Sequence, residues 1–277
     1  EQLQALGLAP AGDDGVYFQH VPVVESVIDR SALLSVGDTL PLRVFTDVVV
    51  STGLSDPVVP VDAELVFAGF GIVAPEYDWD DYKGVDVKGK TLVMLVNDPP
   101  VPSPDNAEEL DPKVFGGRAM TYYGRWTYKF DKAAEMGADG VIIVHQTPTA
   151  GYGWNVVQGM GGERFDAVTP NKNMDKAKLD SWMSVEAAKD LFTLAGLDYD
   201  KAKAAAQTKD FKPMPLNLTA SASFEQKQRT VNSRNVVAKL EGSDPTLKNE
   251  YVVFGAHLDH LGVGEPIKGD TIYNGAM

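Results

Sequence analysis

The sequence predicts a mixed α/β protein of the α+β kind, on the basis of two observations. Short β-rich stretches occupy both ends of the chain, and a strand–helix–strand series runs through its middle. With 277 residues the chain is long enough for two ordinary hydrophobic cores. We therefore expect two domains, one of which interrupts the other.

The first fifty residues predict a helix end followed by strands. In "EQLQALGLAPAGDDG", Leu3, Leu6 and Leu8 lie near helical spacing before Gly7 and Pro10 break the pattern, as in the last turns of a helix. Residues 17–50 then read "YFQHVPVVESVI" and "LPLRVFTDVVVS", which are rich in β-branched residues. We expect short strands there.

Residues 61–224 have a different character, and we expect them to form an insertion of about 160 residues. They begin with a strand at residues 63–67, a glycine-rich bend, an acidic loop and a second strand at residues 91–97. A helix that Gly137 ends and a buried strand at residues 141–144 follow. Ser184 is a predicted N-cap for a second helix, and "DYDKAKAAAQ" predicts a third.

Strands return near the C-terminal end. "NVVAKLEG" and "EYVVFGAH" are separated by the turn sequence "SDPTLKN", so we expect these two strands to pair as neighbours. Residues 251–256 are almost wholly apolar, which predicts a strand buried on both faces.

That strand brings His257, Asp259 and His260 to the edge where it leaves the sheet, and chemistry gathers at such edges in α/β proteins. In a His-x-Asp pair, one imidazole nitrogen binds a metal while the carboxylate accepts the proton on the other nitrogen. A short motif of this kind is weak by itself, and the alternative is a polar loop held by hydrogen bonds.

Composition and charge exclude several classes of function. Acidic residues outnumber basic ones by 39 to 25, for a formal charge of −14, so the molecule repels nucleic-acid phosphates and anionic lipids. We expect no nucleic-acid partner. No apolar run approaches the roughly 20 residues of a membrane helix, and we expect no membrane span. The absence of cysteine excludes disulfides, thiolate zinc sites and cysteine nucleophiles.

The stretch "VVFGAHLDHLGVG" followed by "GDTIYNGA" resembles the first metal-ligand region of the co-catalytic zinc aminopeptidases. The resemblance implies that His257 binds one of two zinc ions, that Asp259 orients His257, and that His260 lines the site without ligating. The family's bridging aspartate would fall one position past Met277, and its general-base glutamate and other ligands would also lie outside the chain. We therefore expect this chain to be an incomplete piece of such an enzyme that is inactive by itself.

Two further stretches, "VFAGFGIVAPEYDWDDYKGVDVKGKTLVMLVNDP" and "GRAMTYYGRWTYKFDKAAEMGADGVIIVH", resemble the β-rich protease-associated domain that interrupts many of these enzymes. The resemblance implies a peptidase domain in two parts, residues 1–60 and 225–277, with the protease-associated domain at residues 61–224. It also implies peptide substrates, two zinc ions in the full-length protein, and a periplasmic, secreted or cell-envelope location.

The alternative is a receptor-like, peptide-binding protein that keeps the peptidase fold and the protease-associated domain without the metals. The pair of His257 and Asp259 favours the enzyme, since a protein freed from metal binding has no need of it. The sequence does not indicate the oligomeric state.

Three other groups of residues have both a functional and a structural interpretation. Glu76, Asp78, Asp80 and Asp81 lack the spacing of a calcium loop, so we expect a solvated acidic loop. The aromatic group Tyr122, Tyr123, Arg125, Trp126 and Tyr128 serves either a peptide surface or domain packing, and we favour packing. His20 and His145 are predicted to be hydrogen-bonded structural residues.

Overall fold

The computed structural model describes residues 1–29, 33–37, 40–54, 56–159, 163–171, 173, 175–257, 262–267 and 269–273. Contacts between Cα atoms divide the chain into two compact units. One unit, the sheet unit, is Val21–Arg234, and the other, the terminal unit, combines Glu1–His20 with Asn235–Met277.

The described residues contain both helices and strands, which confirms the predicted mixed α/β class. The α-helices are α1 Gln2–Ala5, α2 Trp126–Glu135, α3 Thr147–Ala150, α4 Trp154–Gly159, α5 Val185–Leu194 and α6 Tyr199–Ala206. Short 3₁₀ helices cover Asp13–Gly15, Pro75–Tyr77 and Tyr122–Gly124.

Strands make up the larger part of the regular structure. In chain order they are β1 Ala9–Pro10, β2 Phe18–Ile28, β3 Leu33–Val36, β4 Leu40–Leu42, β5 Val48–Ser51, β6 Val58–Phe67, β7 Val73–Ala74, β8 Trp79–Asp80, β9 Thr91–Leu95, β10 Gly140–Val144, β11 Glu163–Ala167, β12 Leu179–Met183, β13 Met214–Val236, β14 Ala238–Lys239, β15 Gly262–Ile267 and β16 Asp270–Tyr273.

A ten-stranded sheet has the order β11-β2-β13-β6-β9-β10-β12-β5, with β3 and β4 branching from β13. Its centre is parallel: β6 pairs with β9, β9 with β10, and β10 with β12. The outer pairs that the structure describes are antiparallel, such as β5 with β12 and β2 with β11. Parallel neighbours require crossover connections, and α2 makes the crossover between β9 and β10.

The central strands are buried on both faces because helices cover each face. In β9, Val93 and Leu95 belong to one hydrophobic cluster, while Leu92 and Met94 belong to the other. Successive strand residues point to opposite faces, which produces this division. Helices α5 and α6 contribute to the first cluster, and α2 contributes to the second.

Local signals in the sequence placed these elements well. The predicted strand at residues 141–144 is β10, which is fully buried. Gly137 follows α2 with a φ of +80°, a left-handed conformation that favours glycine at a helix end. Ser184 caps α5, since its side chain accepts a hydrogen bond from the amide of Ala187.

The sheet does not begin at residue 61. Strand β6 starts at Val58, so the expected boundary between residues 60 and 61 lies inside a strand. Strands from the first fifty residues, including β5 and most of β2, belong to the same sheet as β6, β9 and β10.

The terminal unit contains two small antiparallel pairs, β1 with β14 and β15 with β16. Helix α1 is the short helix expected at the start of the chain. The predicted pairing of "NVVAKLEG" with "EYVVFGAH" is wrong: the described partner of Ala238–Lys239 is Ala9–Pro10. Among the described residues, none of the helices is both long and apolar enough to span a bilayer.

Candidate functional site

The predicted metal ligand His257 lies in a segment without regular structure. Residues 251–257 carry no helix or strand, and His257 is exposed. Asp259 and His260 lie outside the described residues, so the structure leaves the predicted contact between His257 and Asp259 untested. The predicted role of His257 therefore stays a prediction.

The prediction that residues 251–256 form a strand buried on both faces is wrong for the described chain. Tyr251, Val252, Val253 and Phe254 are between 78% and 93% exposed. An apolar sequence has the capacity to be buried, but a strand also needs neighbours that bond its backbone on both edges. The described residues supply this segment with no such strand.

The described residues do not by themselves form a zinc site. Structural and catalytic zinc sites use three or four protein ligands. Within the described ranges, no group of three or more histidine, aspartate or glutamate side chains is close enough to hold a metal ion. His257 has the right donor chemistry for zinc, but it supplies one ligand of the several that the ion needs.

The C-terminal residues resemble a known family of peptidases. Residues 235–277 match the family model described as Peptidase family M28. We refer to these matched residues as the M28 segment. The match includes His257 and Asp259 and is consistent with the zinc-aminopeptidase resemblance of the same residues.

Two solved aminopeptidase structures overlap the chain beyond the M28 segment. An aminopeptidase from Aneurinibacillus sp. strain AM-1 is 17% identical with a TM-score of 0.39, and the match covers 88% of this chain and 41% of that one. A zinc aminopeptidase from Bacillus subtilis is 14% identical with a TM-score of 0.33, covering 87% of this chain and 45% of the other. The chain thus spans less than half the length of either aminopeptidase. No curated protein sequence matches it significantly.

The acidic loop of the sheet unit is only partly solvated, which corrects the prediction for Asp81. Glu76, Asp78 and Asp80 are exposed, as expected, but Asp81 is buried. Its Oδ2 accepts hydrogen bonds from the backbone amides of Phe70 and Ile72, both at 3.1 Å. Burial raises the pKa of Asp81 to about 7. The loop is therefore a folded structure organised around a buried carboxyl group.

A glycine-rich bend makes room for this arrangement. Gly69 has a φ of +57°, and a Cβ atom there would lie 2.7 Å from the ring of Phe211. No other residue type fits both the left-handed backbone and the close approach of that ring. The bend turns the amides of Phe70 and Ile72 toward Asp81.

A buried cation, Lys129 on α2, interacts electrostatically with Asp81. Its Nζ donates hydrogen bonds to the carbonyl oxygens of Phe70, at 2.5 Å, and Asn97, at 3.0 Å. Burial lowers the pKa of Lys129 to about 8, although the charges of Asp98 and Asp81 oppose that shift. Sequence reasoning did not single out Lys129, because a lysine on a helix ordinarily lies on its solvent face.

The aromatic group packs on itself within the sheet unit. The rings of Tyr123 and Tyr128 meet edge to face with centroids 5.2 Å apart, and Tyr123 also contacts Phe115 and Tyr77. The hydroxyl of Tyr123 donates to Glu76. Tyr122 and Trp126 remain exposed by 65% and 43%. Packing therefore accounts for the inner rings and leaves two rings at the surface.

Within the part of the chain that the structure describes, neither His145 nor His20 belongs to a group of metal-ligating side chains. His145 is buried among the rings of Tyr152, Trp154 and Trp182, and burial lowers its pKa. Its Nε2 has no hydrogen-bond partner among the described residues, so packing rather than a full set of hydrogen bonds holds the ring. His20 is exposed on β2, where its backbone amide donates to Asp13.

The sequence reasoning missed a pocket of about 400 Å³ in the sheet unit. Arg164, Asp180 and Gln226 line it, together with Trp126, Phe130 and Trp182. The one available sequence signal was an aspartate, Asp180, inside the apolar strand β12. A charged residue in a strand that is otherwise fully buried indicates a paired or functional group.

Proposed function

We propose that the chain is part of a zinc-dependent aminopeptidase in which His257 ligates zinc and Asp259 orients the His257 ring. The observation that supports this proposal is the match of residues 235–277 to Peptidase family M28. The match covers both proposed residues, and His257 is exposed.

The roles proposed for His257 and Asp259 follow from the chemistry of their side chains. A neutral imidazole binds zinc through one nitrogen, and a carboxylate that accepts the proton on the other nitrogen fixes the tautomer and the ring angle. Two bound zinc ions would supply an activated water and polarise the peptide carbonyl. The described residues hold no group of three or more potential metal ligands, so the proposal assigns no other step to this chain.

The proposal also includes the substrates, the cellular location and the role of residues 61–224. The substrates are peptides that lose their N-terminal residue, and the protein acts in the periplasm, the cell envelope or outside the cell. Residues 61–224 are proposed to act as a protease-associated domain that shapes access to the peptidase cleft. None of these roles requires chemistry from the sheet unit.

Zinc binding and peptidase activity test the proposal directly. The 277-residue chain should bind zinc weakly and below one ion per chain, because one imidazole is an incomplete ligand set. A longer protein that carries the complete M28 domain should bind about two zinc ions per chain and release amino acids from aminoacyl anilides, with loss of activity on chelation. Calorimetry and metal analysis measure the first property, and anilide cleavage measures the second.

Variants of that longer protein separate the proposed roles. His257→Ala should lose one zinc ion and the activity, while Asp259→Asn should lower zinc affinity or activity by about 10-fold to 100-fold. His20→Ala is the matched control, an exposed histidine outside the M28 segment, and should change neither. A metal-free, inert full-length protein would favour the receptor-like alternative. Tight stoichiometric zinc binding by the 277-residue chain would contradict the incomplete ligand set.

A further inference from the structure

The large sheet of the sheet unit has one edge that the described residues leave open. Strands β5 and β11 lie at its two ends, and β4 ends the branch that leaves β13. An unpaired edge strand presents backbone N–H and C=O groups that can bond a further strand. Proteins usually cover, shorten or interrupt such edges, and these three strands differ in that respect.

Strands β5 and β4 are protected. Residues 48–50 of β5 are buried. Helix α4 reaches this edge, since Trp154 and Gln158 each donate a hydrogen bond of 2.8 Å to a carbonyl oxygen just before the strand. Strand β4 is three residues long and has a proline at its centre, Pro41. Neither strand therefore offers an open ladder to another chain.

Strand β11 is open. Phe165 is 54% exposed, and Ala167 is exposed as well. The amide of Val168 donates to the carbonyl oxygen of Pro22, in the register that continues the pairing of β11 with β2. Bonded and non-bonded pairs alternate along an antiparallel ladder, so the backbone groups of Phe165 and Ala167 point away from β2. Within the described ranges, no strand or loop bonds these outward groups.

The sequence of β11, "ERFDA", is complementary to itself in one register. Two copies that pair antiparallel around a two-fold axis at Phe165 place Arg164 of each copy opposite Asp166 of the other. An axis at residue 164 would oppose two arginines, and an axis at residue 166 would oppose two aspartates. Opposite charges directly across a ladder stabilise it and like charges destabilise it, so the charges select the axis at Phe165.

The ion pairs within one chain leave capacity for this contact. Nε and Nη1 of Arg164 donate to Asp166 and Asp180. A guanidinium group has five N–H donors, so Arg164 retains donors for a second chain. Asp166 is bonded through Oδ2 alone among the described residues. The side chains of Arg164 and Asp166 are 24% and 25% exposed, so both remain accessible at the edge.

The position of the axis also suits Phe165. Because its N–H and C=O point outward, the two copies of Phe165 would bond each other as a hydrogen-bonded pair. Residues 163 and 167 would form such a pair on either side of the axis. The two exposed rings would then lie side by side on one face of the joined sheet, where aromatic pairs stabilise a ladder.

We propose that the chain forms a two-fold symmetric dimer in which β11 of each copy extends the sheet of the other, with the axis at Phe165. A two-fold contact uses the same surface on both chains and closes after two copies. The proposal stands apart from the peptidase proposal, because it involves neither the M28 segment nor a metal.

Sedimentation equilibrium tests the dimer, with Val253→Lys as the background in the 277-residue chain. This substitution weakens association through the exposed apolar run at residues 251–254. We expect a monomer–dimer equilibrium with a Kd on the order of 100 μM, because a five-residue strand offers less area than the roughly 1,200 Å² of stable interfaces. A chain that stays monomeric up to about 1 mM, or that forms open-ended polymers, would overturn the proposal.

Lysine substitutions test the axis. Phe165→Lys places two like charges face to face and should raise the Kd of the dimer by at least about tenfold. Val168→Lys is the matched control, because it adds the same charge at a position that is 46% exposed. Its two charges would lie roughly 20 Å apart, beyond the screening length of about 8 Å, so its Kd should change by less than about threefold. Equal effects of the two substitutions would contradict the axis at Phe165.

Cysteine substitutions test the register directly, because the chain has no cysteine of its own. In Phe165→Cys the facing Cα atoms would lie about 5.5 Å apart, within the range that a disulfide spans. Oxidation with diamide should therefore produce a covalent dimer on non-reducing electrophoresis. Val168→Cys should not cross-link, since its Cα atoms would be roughly 20 Å apart. Equal cross-linking of the two variants, or none in Phe165→Cys, would contradict the proposed pairing.

Discussion

The indole Nε1 of Trp79 donates a hydrogen bond of 2.8 Å to Oδ1 of Asp81, and both side chains are buried. The other carboxylate oxygen of Asp81 is already bonded to two backbone amides. A residue that the sequence suggests is solvated thus joins the glycine bend to strand β8. Burial, the largest influence on this carboxyl group, favours its neutral form.

Asp81→Asn should flatten the pH dependence of stability. The pKa of Asp81 is about 7 in the fold and 3.8 in the reference state, so the fold favours the protonated form. Its stabilising contribution is complete below about pH 4 and is lost as pH rises to about 7, with a slope of at most about 1.4 kcal/mol per pH unit. Urea unfolding of the variant at several pH values should lack that part of the slope.

Asp78→Asn is the matched control for Asp81→Asn. Asp78 is an exposed carboxylate in the same loop, with a φ of +54° that asparagine tolerates. The control should keep the slope of the unmodified protein between pH 4 and 7. Identical profiles for both variants would show that Asp81 does not titrate in this range.

Lys129→Met should destabilise the sheet unit. The substitution removes the donor to the carbonyl oxygens of Phe70 and Asn97 and leaves Asp81 and Asp98 without their buried cation. We expect a loss of about 3 kcal/mol in the free energy of unfolding at pH 7, measured by urea denaturation.

A neighbouring lysine and the pH profile serve as controls for Lys129→Met. Lys132→Met, on the same helix, loses only a partly exposed ion pair with Glu135 and should cost less than about 1 kcal/mol. The pKa of Lys129 is about 8 in the fold against 10.5 in the reference state, so protonation of this lysine lowers the stability of the unmodified protein as pH falls from 10.5 to 8, and Lys129→Met should lack that part of the pH dependence. Equal costs for the two variants would contradict the burial of the Lys129 charge.

Asp198→Ala should remove the N-cap of α6. Oδ1 of Asp198 accepts a hydrogen bond of 2.9 Å from the amide of Lys201. Loss of such a cap costs about 1 kcal/mol, while Asp198→Asn keeps an acceptor and should change stability by less than about 0.5 kcal/mol. Thermal or urea unfolding distinguishes the two variants, and equal losses would assign the effect to charge instead of capping.

Val253→Lys should reduce self-association without loss of stability. Val253 is 84% exposed within the apolar run at residues 251–254, and runs of this kind associate with other chains. Light scattering at increasing concentration should show smaller particles than for the unmodified chain, at an unchanged unfolding midpoint. Leu247→Lys, at an exposed apolar position outside the run, should have a smaller effect.

Several helices and strands of the sheet unit could be predicted because their signals are local. The apolar run of β10, the glycine after α2 and the serine before α5 each act within a few residues of the element that they define. The start of β6 was missed because Val58 and Pro60 precede the apolar stretch that marked the strand.

The sequence also predicts the C-terminal segment and the pocket to different extents. The match of the C-terminal segment to Peptidase family M28 rests on residues 235–277 alone, since a motif is a linear property. The pocket does not, because Arg164, Asp180 and Gln226 stand on three different strands whose positions depend on pairing in the sheet. No spacing along the chain relates them.

The sequence alone predicted helices α1, α2, α5 and α6, strands such as β6, β9 and β10, and the choice of His257 and Asp259 as residues to test. Only the tertiary structure decided which charged and apolar residues are buried. It buried Asp81, Lys129 and Asp180, and it left Val253 and Phe254 exposed. The physical reason is that burial depends on partners: a charge enters the interior when distant residues bond it, and an apolar strand stays outside when no neighbouring strand covers it.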